Sequence, residues 1–114
     1  MSSSWSQYLA LPLENIDESM IERLSALLLR TFRRRNSSQF GGAYYYAGWP
    51  DPSPERYYLF RNTDAFDDTA QYAEYPKEIW VMRIDGTARP LPELQRLIEQ
   101  ALGVQVQPFV PRQS

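Results

Sequence analysis

The residues able to do chemistry in this 114-residue chain gather in two places. In 63–78, Asp64, Asp67, Asp68, Glu74 and Glu78 stand against the single Lys77, interleaved with Phe66, Tyr72 and Tyr75. Carboxylates so close can collect a divalent cation, or transfer protons when burial or a like-charged neighbour raises one pKa. These acids do not follow the calcium-loop order, which alternates acids and then needs a glycine and a distant glutamate. The second cluster is Arg30, Arg33, Arg34 and Arg35, whose guanidinium forks match phosphate geometry and would add salt-sensitive increments to nucleic-acid binding.

Other chemistries are excluded by composition. The chain has no cysteine and no histidine, so disulfides, Cys or His metal sites, Cys or Ser-His nucleophile pairs and the usual neutral-pH proton carrier are all absent. Gly41-Gly42 lacks the following Gly-Lys-Ser/Thr of a phosphate loop and reads as a turn. Tyr44-Tyr45-Tyr46 alternates faces without the basic, glycine and phenylalanine series of an RNA-binding strand. No cofactor is expected, no metal site, and no enzyme activity.

Twelve basic residues, eleven of them Arg, meet fourteen acidic ones for a net charge of −2. The pI near 5.1 gives no general attraction to nucleic acid or to an anionic membrane. The first fifteen residues carry no basic residue, and the apolar run 24–29 is closed by Arg30, so neither a secretory signal nor a membrane span is expected. A cytoplasmic location is the resulting expectation.

The length fits a single domain, and 43% hydrophobic with 14% aromatic residues is enough to fold it. We expect one α+β domain over 1–114 with loose ends at 1–10 and 108–114. Asn15, with a carboxylate at Glu18, suggests a capping box starting a helix near Ile16. Met20, Ile21, Leu24, Leu27, Leu28 and Phe32 then keep helical spacing, with the Arg cluster placed at the helix C-terminus against the dipole. The aromatic stretches 43–49 and 55–62 read as a hairpin whose tip is stiffened by Pro50, Pro52 and Pro54. Within it, Tyr44 and Tyr46 oppose Tyr45, and Tyr57 and Leu59 oppose Tyr58 and Phe60.

Residues 79–84 read as a central strand covered on both sides. A second helix follows over 91–102, with Pro92 in its first turn and Gly103 as its stop, and 104–107 alternates like an edge strand. The order α-β-β-β-α-β predicts a mainly antiparallel sheet of about four strands packed by two helices, with Leu24, Leu28, Trp80, Met82, Leu97 and Ile98 in one core.

The acidic, aromatic connection suits docking to a basic protein partner: Asp64, Asp67, Asp68, Glu74 and Glu78 would steer it, and Tyr72 and Tyr75 would supply rigid contact area. By size and charge alone the chain resembles small inhibitors such as bacterial immunity proteins and antitoxins that cover a basic site on a cognate toxin. The alternative is a nucleic-acid-associated module using Arg30–Arg35, which the acidic pI makes the weaker expectation.

Overall fold

The computed structural model describes residues 6–37, 42–48, 54–63, 70, 72, 75–76 and 78–110. They form β1 (Ser6–Leu11), α1 (Glu18–Leu28), β2 (Phe32–Ser37), β3 (Gly42–Ala47), β4 (Arg56–Arg61), β5 (Trp80–Asp85), α2 (Leu91–Leu102) and β6 (Gln107–Phe109). The fold is α+β, with a single sheet in the order β2-β3-β4-β5-β1-β6 and every neighbouring pair antiparallel.

The sheet has six strands rather than about four, and each extra strand corrects an expectation. Residues 6–10 are not a loose start: β1 lies between β5 and β6, pairing Leu9 with Met82 and Tyr8 with Phe109. Residues 108–109 are likewise paired, in β6. The first helix ends at Leu28, earlier than its apolar spacing suggests. Leu29 turns left-handed at φ 59° and ψ 42°, and its N–H caps the Ser25 carbonyl. Phe32 then opens β2, donating its N–H to Ser25 Oγ at 3.2 Å. Arg33, Arg34 and Arg35 therefore stand on an edge strand and not at a helix end. At the other end of α1 the capping side chain is Asp17, which accepts from Met20 N at 2.9 Å, in place of Asn15.

Both helices cover one face of the sheet. Leu24, Leu28, Trp80, Met82 and Ile98 are buried in a common core there, and Leu97 packs partly buried against it. Trp80 fixes its ring by donating Nε1–H to the Glu14 carbonyl at 3.1 Å, and Arg23 Nε donates to Ala101 O at 2.8 Å, tying α1 to the end of α2. The opposite face is also apolar. Tyr44, Tyr46, Phe60 and Val81 are buried on it, with Tyr8, Tyr58, Tyr72 and Phe109 packed around them. Pleating separates the two faces as expected, with Tyr45, Tyr57 and Leu59 facing the helices and Tyr44 and Tyr46 buried on the other face.

The last strand is displaced from 104–107 to Gln107–Phe109 because other partners already hold Val106. Gln95 Nε2 donates to Val106 O and Glu99 Oε2 accepts from Val106 N, both at 3.0 Å, so neither backbone group of Val106 is left for the ladder. Val106 is instead buried beneath α2.

A buried ionic staple joins the two helix ends to the β3–β4 hairpin. Gly86, at φ 64°, brings Pro54 O so near that an added Cβ would stand 2.5 Å from it, and Gly48 leaves the same kind of gap, 2.7 Å, to Glu55 O. This close approach seats Glu55, which is 3% exposed, between Arg30 (3.0 Å) and Arg89 (2.8 Å), with Thr87 donating its hydroxyl to Oε2. Arg89 also donates to Leu28 O at 2.7 Å, closing the C-terminus of α1. Burial by itself pushes the Glu55 carboxyl up. Hydrogen bonds from Arg89 and Thr87, together with the Arg89 and Arg30 charges, outweigh it and hold the group below its ordinary value of 4.5. A carboxylate so committed is structural, and Arg30 is thereby taken out of the basic cluster.

Candidate partner-binding surface

The acidic connection is fastened to the sheet in part through Asn62, which follows β4 and is fully buried. Its Nδ2 lies 3.0 Å from each of the Tyr72, Tyr75 and Pro76 carbonyls, and its Oδ1 accepts from Tyr72 N at 2.7 Å. Two amide protons thus serve three acceptors, and the far half of the connection is held to the start of it. Thr63 and Ala70 form an isolated antiparallel bridge. Long segments fixed in this way display residues rather than merely join strands.

Replacing Asn62 with alanine removes the side chain that the Tyr75 carbonyl and the Tyr72 N–H bond to, while the Tyr72 and Pro76 carbonyls keep the Tyr75 and Ile79 N–H groups, at a cost of about 1–3 kcal/mol. Denaturant unfolding should show the loss, and limited proteolysis of the folded variant should cut first within 63–78. An unchanged midpoint with the same cleavage pattern would mean that Asn62 does not hold the segment.

The sequence-nominated residues fall into three groups. Asp64, Asp67, Asp68 and Glu74 lie outside the described residues. Glu78 is exposed at the end of the connection. Tyr72 and Tyr75 are half-buried, each against the Phe109 ring, at 5.5 and 5.0 Å between centroids. Tyr72 additionally meets Tyr8 edge-on at 5.7 Å and Phe60 at 6.3 Å, so this ring anchors the connection to the second face of the sheet.

Tyr75 opens onto something the sequence reading does not contain. With Pro76 and Ile79 it forms one wall of a cleft of about 590 Å³, whose other wall is the polar side of α2 and the chain entering β6. Gln95, Glu99 and Gln107 contribute to that wall, and among the described residues lining the cleft Glu99 is the charged one. One Glu99 oxygen is engaged by Val106 N, while the other has no hydrogen bond among the described residues. An aromatic residue and a carboxylate lining one recess suit a guanidinium or ammonium group, which such residues bind by stacking and by charge pairing. The available signal was the pair Gln95 and Glu99, one helical turn apart on the same side of α2. Residues of both the connection and β6 are needed to make it a cleft.

The basic cluster does not form one phosphate-gripping patch. Arg30 serves Glu55, while Arg33, Arg34 and Arg35 are exposed and alternate between the faces of β2. Among the described residues no group of three or more Asp or Glu side chains is arranged to hold a metal ion, and no helix is long and apolar enough to cross a membrane. Comparison with known protein families and with curated proteins finds no family model and no curated protein that matches the chain.

Proposed function

We propose that this protein binds a basic protein partner and neutralises or regulates it, without catalysis of its own, and that the contact centres on the Tyr75–Glu99 cleft and the adjoining acidic connection. The cleft carries the proposal: the charge among its described lining residues is negative, its aromatic residue Tyr75 comes from the connection, and the sequence of that connection, 63–78, holds five acids against one Lys77. Carboxylates on the rim raise association rates, whereas a desolvated aromatic and a buried charge pair hold the complex together. A cytoplasmic immunity protein or antitoxin, produced in a bacterium beside its toxin, is the biological setting most compatible with a small acidic chain of this kind. The nucleic-acid alternative loses support from the tie between Arg30 and Glu55 and from the split placement of the other three arginines.

The roles separate kinetically once a partner is captured from the native host and produced pure. Changing Asp64, Asp67 and Asp68 together to Asn should slow association and flatten its salt dependence. Tyr75→Ala and Glu99→Gln should mainly speed dissociation, with a loss of about 2 kcal/mol or more for the tyrosine. Surface plasmon resonance on the folded variants reads both rates. Rates unchanged in both sets would remove this surface from the interface.

A further inference from the structure

At the opposite edge of the sheet, β2 carries a second binding surface of reversed charge. Phe32 spends its N–H on Ser25 Oγ, so that group points away from β3. Antiparallel ladders alternate, which makes Arg34 and Asn36 the residues whose N–H and C=O also point outward, while Arg33 and Arg35 exchange theirs with Tyr46 and Tyr44. Among the described residues no strand pairs with that outer edge. The side chains alternate too. Phe32 is buried in the helix-side core, which puts Arg34 on that face and Arg33 and Arg35 on the other, where the Arg35 guanidinium lies 4.3 Å over the Tyr46 ring. All three arginines are exposed, and among the described residues none is ion-paired.

We infer that this edge accepts an extended acidic segment of another protein as an added strand, with its backbone pairing to Arg34 and Asn36 and its carboxylates meeting Arg33, Arg34 and Arg35. Charge selects this occupant over a second copy of the chain. Antiparallel pairing of β2 with itself would set arginine opposite arginine across the new ladder, which is destabilising, whereas a strand with acids at successive positions meets an opposite charge on each face. Arg35, already resting on Tyr46, gives up less freedom on binding than an unsupported side chain would. Five strand spacings, roughly 24 Å, separate this edge from β6 and the cleft, so the two surfaces do not compete.

The test uses the full chain and a short labelled peptide with glutamates at successive positions flanked by threonines, followed by fluorescence anisotropy at low and physiological salt. Two N-methylated forms of the peptide, one blocking each set of alternate N–H groups, keep identical charge. Strand addition requires that one form bind like the parent and the other bind at least roughly five-fold more weakly. On the protein side, Arg33→Glu with Arg35→Glu should abolish binding. Arg34→Pro, which removes an outward N–H at an edge where proline is tolerated, should weaken it beyond Arg34→Ala. Equal binding of both methylated forms would reduce the effect to bulk charge and overturn the inference, as would self-association of the protein through β2. So would tighter binding of a single-stranded oligonucleotide dependent on the same arginines. None of these variants touches the cleft, so failure here leaves the proposed function standing, and the reverse holds.

Discussion

Replacing Glu55 with alanine should lower the unfolding free energy by about 3 kcal/mol and the thermal midpoint by roughly 10 °C or more, among the largest losses from any single substitution in this protein. The change strands Arg30 and Arg89 side chains that are only 19% and 22% exposed, and removing one partner of a buried ion pair costs about 3–5 kcal/mol. The lower end applies because both guanidiniums keep some contact with water. The pH dependence has a definite sign. The Glu55 carboxyl titrates below its ordinary 4.5 in the folded protein, so its contribution is fully present above that value and is lost as pH falls through the lower folded value. Glu55→Gln should therefore be less stable than the parent at neutral pH and show a shallower loss of stability in acid. Parallel acid profiles for the two proteins would show that the carboxylate is not held by its neighbours.

Leu28→Ala should cost about 2–5 kcal/mol, since the side chain is fully buried between α1 and the sheet and its removal leaves a cavity as well as lost burial. Leu28 also offers its carbonyl to Arg89, the residue that holds Glu55, so the two sites share a partner. Energies of sites that share a partner do not add. The double variant Leu28→Ala with Glu55→Ala should lose measurably less than the sum of the single losses in denaturant unfolding, and strict additivity would uncouple the staple from the end of α1.

Elements with strong local signals were legible in the sequence. Helix α2 has its apolar stripe, an early proline and a terminal glycine, and β3, β4 and β5 are aromatic or apolar runs bounded by turn residues. The two strands that were not legible failed for different reasons. In β2 only Phe32 is buried, so Arg33 to Asn36 show no alternation, and basic residues after an apolar helix read naturally as its C-terminal charges. In β1 the alternation is short, follows a serine-rich start, and becomes a strand through pairing with β5 some seventy residues later. At the candidate site, the acidic connection and Tyr75 were visible as composition. Asn62 was not, and the helical spacing of Gln95 and Glu99 pairs them on α2 without locating the backbone groups or the cleft they serve. The staple joins Glu55 to Arg89, residues that share no periodic element.

The most direct measurement is amide chemical-shift mapping on the isotope-labelled protein as the purified basic partner is added. Docking at the proposed surface predicts that the largest perturbations fall on Tyr75, Gln95, Glu99 and Val106 and extend into 63–78, with β2 unaffected, and that Glu99→Gln reduces them. Perturbations centred on Arg33, Arg34 and Arg35, with the cleft silent, would contradict it.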